Sequence, residues 1–442
     1  MISIFRPPAD APPIQGTAEQ VKTVYRKWRG RQLGVTFLAY AVYYFVRRNL
    51  APAMPLLEKD LGIKKSELGA FLTTHDVLYG VSKFANGYFA DRSNARTFLA
   101  CGLLLSGVLN LAFGLSNTVF ILGFLWCLNG WVQGMGFPPC ARVLSHWFAP
   151  SERGTMWGIW NTSHMVGAAG ISVWAAYLAQ HFGWRWAFFG PAALALVVTV
   201  VILATLKDTP GEMGLPPVEL HFGDNKDTQP KVEPPKQDEA EFRAFLKERV
   251  FGNPYIWLIC VANFFVYLVR ISFLNWAPTY LNQEKGYSLI AAGGMTGGYE
   301  IAGLVGSLVA GILTDKFFKN RRAPMCVWYM LGTAGAIFAF WKMPSGSGSV
   351  DTLTLAAVGF LIYGPQFLVG VMTADIVTKR AAATAIGLTG LFGYLSSIVS
   401  GWGLGKIAET HGWDAAFALL IGSALLSALC FAFCWKAGAR EE

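Results

Sequence analysis

The stretch YYFVRRNL, residues 43–50, places two adjacent arginines inside a long apolar run of the chain. That run extends from residue 33 to residue 57 and is long enough to cross a bilayer as one helix. Arg47 would then lie near mid-membrane depth, where an arginine costs about 2.5–3.5 kcal/mol on the lenient insertion scale. Because ionisable residues at that depth are rare and usually functional, the sequence indicates a functional role for Arg47.

The rest of the chain has the composition of a polytopic membrane protein. Of its 442 residues, 54% are hydrophobic and 14% are charged, whereas soluble domains carry about 25% charged residues. We therefore expect an all-α membrane protein with twelve transmembrane helices. The apolar stretches that predict them are 33–57, 68–90, 97–116, 118–141, 155–181, 185–206, 255–281, 288–314, 324–343, 352–376, 382–406 and 414–436.

The net charge of +9 indicates membrane topology rather than nucleic-acid binding. Basic residues collect before the first segment at 26–31 and after the eighth at 316–322, whereas the loop at 343–351 is nearly free of them. This asymmetry predicts that both termini are cytoplasmic. The first 32 residues lack the apolar core of a signal peptide, and we expect a bacterial inner-membrane protein.

A charged, proline-rich stretch divides the chain into two groups of six predicted helices. We expect it to be a cytoplasmic linker. The predicted parts are an N-terminal cytoplasmic segment at 1–32, a six-helix bundle at 33–206, the linker at 207–250, a second six-helix bundle at 251–436 and a cytoplasmic tail at 437–442.

The two groups of helices repeat each other in sequence. Three pairs of motifs occur in the same order and at nearly the same separation along the chain. They are YYFVRRNL (43–50) with VYLVRISF (266–273), GYFADRSNAR (87–96) with GILTDKFFKNRR (311–322), and GWRWAF (183–188) with GWDAAF (412–417). We infer a duplicated six-helix unit, with the two halves related by a pseudo-two-fold axis.

The repeat pairs Arg47 with Arg270, at the same depth in equivalent helices. The pseudo-two-fold axis would bring both guanidiniums to one central cavity, where planar N–H forks suit a phosphate group. The alternative is that each arginine pairs with a carboxylate on another helix, for which Asp76 and Glu300 are available. Arg48 points about 100° away from Arg47 on a helix, and binding, snorkelling and bridging all remain open for it.

Other polar residues follow the helical spacing of a shared face. Tyrosine and asparagine can donate hydrogen bonds to phosphate oxygens or sugar hydroxyls without adding charge, although packing between helices explains any single one equally well. Histidine side chains ordinarily change charge near neutral pH, so a bound anion could change the protonation of His164. The sets are Tyr40, Tyr44 and Arg47; His75, Tyr79 and Lys83; Asn161 and His164; Asn263, Tyr267 and Arg270; and Tyr363 and Gln366.

With these residues placed, the chain resembles the organophosphate:phosphate antiporter family of the major facilitator superfamily. The superfamily's G-x-x-x-D-[RK] loops match 87–92 and 311–316, and we expect Asp91, Arg92, Asp315 and Lys316 to act in gating rather than in substrate binding. The family's blocks match YYFVRRNLAPAMP, YGVSKFANGYFADRSNAR, GWVQGMGFPPCARVLSHW, GIWNTSHMVG, NPYIW, YGPQFLVG and GLTGLFGYL.

The resemblance implies the major facilitator fold and exchange of a phosphorylated metabolite for inorganic phosphate by alternating access. It places the family's two essential arginines on Arg47 and Arg270, its central histidine on His164 and its second-helix lysine on Lys83. The cavity-lining aromatic residues would be Tyr40, Tyr44, Tyr79, Tyr267, Tyr363 and Tyr394. Hexose-phosphate exchangers carry an Asp and a Lys in the eleventh helix, where this chain has Ile386 and Thr389.

Three other functional classes compete with exchange. An enzyme is disfavoured because nucleophile elbows, Walker loops and metal-ligand spacings are missing from the sequence, and we expect neither a cofactor nor a metal. A proton-coupled anion symporter would need a membrane carboxylate, for which Asp76 and Glu300 are weak candidates. The third class, a sugar-phosphate sensor of the same fold that binds but does not transport, is also compatible with the sequence. We expect a monomer in the lipid bilayer, with an organophosphate and inorganic phosphate as its small-molecule partners.

Overall fold

The structure, a computed structural model, describes residues 9–15, 17–90, 93–218, 247–318, 321–344, 348–377 and 382–435. These residues form fifteen α-helices and no strand. The helices are α1 (Ala18–Phe45), α2 (Leu50–Leu61), α3 (Lys65–Ala90), α4 (Ala95–Leu115), α5 (Val119–Gln133), α6 (Phe137–Trp147), α7 (Pro150–Asn161), α8 (Ser163–Phe182), α9 (Trp186–Thr205), α10 (Pro254–Gln283), α11 (Leu289–Phe317), α12 (Arg322–Lys342), α13 (Gly348–Ile376), α14 (Ala382–Leu395) and α15 (Leu404–Phe433).

Eight stretches of the described chain are long and apolar enough to cross a membrane. The longest of them, Ala385–Phe433, has 49 residues and contains a kink at Gly412. Large apolar side chains lie on the outside of the helices, as on Phe120 and Leu353, which are 79% and 70% exposed. Such a surface suits lipid rather than water. The all-helical membrane fold is therefore confirmed, and the count of twelve crossings stays a prediction.

The chain forms two compact units. The N-terminal unit comprises residues 1–50 and 78–232, and the C-terminal unit comprises residues 51–77 and 233–442. In the N-terminal unit, α1, α4, α6 and α9 enclose a core that contains Tyr43, Leu99, Val143 and Trp147. In the C-terminal unit, α10 lies at the centre and packs against α11, α13, α14 and α15.

The first predicted transmembrane helix is interrupted. The helix α1 starts well before the expected boundary at residue 33, because Thr17 and Gln20 form a capping box at its N-terminus. It ends at Phe45, and α2 begins only at Leu50. The prediction of one continuous helix through 33–57 is therefore wrong, and the break falls on the stretch that carries Arg47.

The first part of the predicted linker is ordered against the N-terminal unit. The Tyr25 hydroxyl donates to the Pro216 carbonyl at 3.1 Å, and the Trp147 indole N–H donates to the Lys207 carbonyl at 3.1 Å. The Arg142 Nε lies 2.9 Å from the fully buried carboxylate of Asp208. Residues 207–218 thus form part of this unit rather than a free tether.

The repeat in sequence is visible in the backbone at one pair of glycines. Gly183 ends α8 with φ 89° and ψ 162°, and Gly412 kinks α15 with φ 78° and ψ 176°. Side chains with a Cβ atom are essentially excluded from this region of backbone conformation. The GW motifs of the two halves therefore make the same helix-ending turn.

The helices α11 and α13 of the C-terminal unit are packed backbone to backbone. A Cβ atom on Gly306 would overlap the carbonyl oxygen of Phe360, and one on Gly359 would overlap the carbonyl oxygen of Tyr299. Helices in lipid gain contact by such close approach, since lipid offers little hydrophobic force between them. The contact fixes α11, which carries Glu300, against α13, which carries Tyr363.

We expect Gly306→Ala to lower the unfolding free energy by about 1–3 kcal/mol, because an added methyl group overpacks the helix contact. Gly298→Ala on the same helix is the matched control, since a Cβ atom there meets no atom within 4 Å. Thermal unfolding in detergent measures both variants. Equal melting temperatures for the two would contradict the close contact between α11 and α13.

Candidate functional site

In the N-terminal unit, Arg47 lies in the gap between α1 and α2 and is only 6% exposed. Its guanidinium carbon is 3.7 Å from the centroid of the Tyr79 ring and 5.5 Å from that of Tyr44. A guanidinium over an aromatic face gains cation–π attraction, which grows as water is removed. The structure therefore surrounds a buried cation with tyrosine rings.

A chain of aromatic contacts leads from Tyr44 to Lys83. The Tyr44 ring lies 5.7 Å from Tyr40, which is tilted against the Trp160 indole at 4.8 Å. Tyr40 and Trp160 both contact Phe137, and the Lys83 ammonium lies 4.1 Å from the Phe137 ring centroid. Together with Arg47, Tyr79 and His164, these residues are called the arginine–aromatic cluster.

His164 lies at the start of α8, directly after the break between α7 and α8. Its ring is 5.6 Å from the Tyr44 ring, and its Nδ1 is hydrogen-bonded to the backbone carbonyl of Asn161. Because a carbonyl only accepts, Nδ1 carries a proton, and in the neutral ring Nε2 is the acceptor. The Asn161 side chain itself is exposed.

In the C-terminal unit, Arg270 is also 6% exposed and is linked to a carboxylate through a tyrosine. The Arg270 Nη2 donates to the Tyr363 hydroxyl at 3.0 Å, and that hydroxyl donates to the Glu300 carboxylate at 2.5 Å. Glu300 is completely buried. The phenol thus joins a buried cation to a buried anion, which is one way to hold both charges away from water.

Two more predicted tyrosines lie beside Arg270. Its guanidinium is 5.8 Å from the centroid of the Tyr267 ring, which meets the Tyr394 ring edge-on at 6.1 Å. Asp76, the other carboxylate considered as an arginine partner, lies 3.0 Å from the His75 ring and accepts from Ser397 at 3.5 Å. Of the two carboxylates considered as partners for the arginines, Glu300 is therefore linked to Arg270, through the Tyr363 hydroxyl.

The structure brings most of the predicted binding residues together within their own units. Tyr40, Tyr44, Arg47, Tyr79, Lys83 and His164 share one cluster, and Tyr267, Arg270, Tyr363 and Tyr394 share another. Sequence reasoning missed Trp160 and Phe137 as neighbours of these residues, and it offered Glu300 only as a possible carboxylate partner for an arginine. The sequence does not reveal Trp160 and Phe137, because a tryptophan or phenylalanine in an apolar run looks the same whether it lines a site or only packs between helices.

The predicted gating residues are only partly described. Asp91 and Arg92 lie outside the described residues. Asp315 is in α11, and Lys316 is exposed in the last turn of that helix, with its ammonium 5.8 Å from the Phe317 ring. Their role in gating stays a prediction.

Comparison with known proteins decides the family. A model of the Major Facilitator Superfamily matches residues 36–401, most of the chain. The chain belongs to the major facilitator superfamily. The fold agrees, since the structure superposes on a D-xylose–proton symporter with a TM-score of 0.69, covering 95% of this chain and 98% of that one at 17% identity. The integral membrane assignment and the predicted superfamily fold are confirmed.

Three similar proteins identify the family within the superfamily to which the chain belongs. A probable hexose phosphate transport protein of Chlamydia pneumoniae is 38% identical over 98% of this chain and 96% of its own length. A glycerol-3-phosphate transporter of Bacillus subtilis is 38% identical over the whole of both chains. A membrane sensor protein, UhpC, of Salmonella typhimurium is 37% identical over 97% of this chain and 96% of its own. The chain therefore belongs to the organophosphate transporter and sensor family, whose members are not enzymes.

We expect Tyr363→Phe to destabilise the protein by about 1–3 kcal/mol, because it removes the hydroxyl that both Arg270 and Glu300 use. Tyr329→Phe is the control, since the Tyr329 hydroxyl makes only a 3.5 Å contact with the Gly306 carbonyl. Thermal unfolding in detergent compares the two. A Tyr363→Phe variant as stable as Tyr329→Phe would show that the link carries little energy.

Proposed function

We propose that the protein is a secondary transporter that exchanges an organophosphate for inorganic phosphate by alternating access. The observation that carries the proposal is the pair of buried arginines, Arg47 and Arg270, each among tyrosines in its own unit. Relatives of the same length that are named for glycerol-3-phosphate and hexose phosphate transport support it.

The chemistry of the two clusters suits a phosphoryl group. A guanidinium offers paired donors to phosphate oxygens, and such charge-assisted bonds are roughly twice as strong as neutral ones. The tyrosine rings beside each arginine keep water out, which strengthens the attraction for an anion. Lys83 is the second cation of the arginine–aromatic cluster beside Arg47. The Nε2 atom of His164 would donate to an anion when the ring is protonated.

Two uncharged positions, Ile386 and Thr389, indicate what the non-phosphate part of the substrate is. Ile386 is 41% exposed, and the Thr389 hydroxyl bonds its own helix at the Ile386 carbonyl. Neither position supplies an ion for a second charge on the substrate. We therefore assign a monophosphate with a small sugar or polyol body, rather than a substrate with an added carboxylate such as phosphoenolpyruvate.

The sensor is the second candidate, because one relative at 37% identity is named a membrane sensor protein. A sensor and an exchanger would share the binding residues and differ in turnover. The remaining features of the proposal are a bacterial inner-membrane location, cytoplasmic termini and a monomeric state.

Purified protein in proteoliposomes is expected to exchange external labelled phosphate for internal phosphate without ATP or an imposed proton gradient. Uptake that depends on unlabelled phosphate inside the vesicles measures the exchange. Uptake only under a proton gradient would support the symporter instead. Binding of sugar phosphates without any vesicle uptake would support the sensor.

Arg47→Lys and Arg270→Lys are each expected to weaken phosphate binding about tenfold to a hundredfold. Lysine keeps the charge but cannot reproduce the bidentate fork, and one charge-assisted hydrogen bond contributes about 1.5–3 kcal/mol. Equilibrium binding of labelled phosphate to the purified variants measures the loss.

Arg185→Lys is the control for these variants, since Arg185 hydrogen-bonds the side chain of Asn117 and stacks on Trp184, and neither of these residues belongs to a cluster. If both arginines bind the same phosphoryl group, the double variant loses less than the two single losses combined. Either lysine variant binding phosphate as the wild type does would remove that arginine from the site.

A further inference from the structure

At the break between α1 and α2, the backbone is hydrogen-bonded by asparagines from two other helices of the N-terminal unit. We propose that Asn110 and Asn129 are positioning residues that set the backbone at Arg47 and thereby the phosphate affinity of the protein. The inference rests on the proposed function, because it takes Arg47 to be a phosphate ligand.

The backbone carbonyl of Val46 is the point on which both asparagines converge. The Asn110 Nδ2 donates to it at 3.0 Å from α4, and the Asn129 Nδ2 donates to it at 2.8 Å from α5. A carbonyl has two lone pairs, and these two bonds use both. In an uninterrupted helix this carbonyl would accept instead from the amide four residues further along.

A second tier of bonds fixes the orientation of Asn110. Its Oδ1 accepts from the Asn49 Nδ2 at 2.8 Å, and its Nδ2 also donates to the Ser106 carbonyl at 2.9 Å. The Asn49 Nδ2 donates further to the Ala187 carbonyl on α9 at 2.9 Å. Asn49, Asn110 and Asn129 are 0–1% exposed. Both ends of the gap, Val46 and Asn49, are therefore tied to neighbouring helices.

These bonds matter because of where the break lies. An unsatisfied backbone group costs several kcal/mol in hydrocarbon, so a helix interrupted there needs replacement donors. VRRN itself contains neither proline nor glycine, but Pro52 in the first turn of α2 has no amide for the Arg48 carbonyl and disfavours a continuous helix there. Pro52 does not supply a donor for the Val46 carbonyl, which the asparagines do. Since Arg47 directly follows Val46, donors that fix the Val46 carbonyl also fix the backbone from which the Arg47 side chain starts.

The equivalent arginine shows that a break is not required to bury a guanidinium. Arg270 lies within the continuous helix α10, with an intact turn on either side. The two asparagine bonds act on the Val46 carbonyl, whereas the Arg270 carbonyl accepts from the Tyr299 hydroxyl at 3.3 Å. We infer that the asparagines set the height and direction of the Arg47 side chain.

The test compares Asn129→Ala with Gln133→Ala. Gln133 lies one turn further along α5, is 3% exposed and donates to the Ser106 hydroxyl on α4 at 3.2 Å. Both variants remove a buried amide donor from the same helix, but only Asn129 bonds the Val46 carbonyl. Equilibrium binding of inorganic phosphate and hydrogen exchange of the peptide covering residues 43–52 are measured in detergent.

Asn129→Ala is expected to weaken phosphate binding about tenfold, equivalent to about 1.4 kcal/mol, and to speed amide exchange at residues 46–50. Gln133→Ala should change neither quantity, although both variants lose thermal stability. Asn49→Ala, which removes only the second tier of bonds, should give a smaller loss of affinity and keeps the test possible if Asn129→Ala does not fold.

Wild-type phosphate affinity in the folded asparagine variants would overturn the inference, and so would equal losses in Asn129→Ala and Gln133→Ala. Failure of the wild type to bind phosphate would instead count against the proposed function. In that case the hydrogen exchange still decides the positioning role, because unchanged exchange at residues 46–50 in Asn129→Ala would refute it.

Discussion

Lipid offers no hydrogen bonds, so each polar group inside the membrane must find its partner within the protein. This constraint explains why the described segments that are long and apolar enough to cross a membrane are helices. It also explains what surrounds the exceptions. Where α1 stops before Arg47, Asn110 and Asn129 donate to the Val46 carbonyl in place of a helix amide. In α10, the buried guanidinium of Arg270 donates to the Tyr363 hydroxyl, which in turn donates to the Glu300 carboxylate.

Much of this architecture could be predicted from the sequence. Apolar stretches and the charge of the loops indicated a helical membrane protein, and the motif repeat paired Arg47 with Arg270. The family was recognisable from its blocks and is confirmed by relatives at 37–38% identity. Tyrosines spaced along one helix face were correctly grouped with the arginines, because helical periodicity alone brings them together.

The break in the first membrane helix could not be predicted in the same way. The apolar pattern predicts a helix through VRRN, although Pro52 disfavours one at Arg48. The donors that satisfy the Val46 carbonyl lie on α4 and α5, far along the chain. The sequence offers Glu300 as a possible partner of an arginine, but its link to Arg270 depends on a tyrosine from a third helix. Contacts between distant segments decide these features, and periodicity carries no information about them.

The close contact between α11 and α13 restricts how this protein can diverge. Gly306 and Gly359 leave no space for any side chain, so neither position can change alone without separating the two helices. Glu300 and Tyr363 lie on these same helices. Their relative spacing is therefore fixed by the backbone contact, and a chain that diverges from this one keeps that spacing only if both glycines are retained.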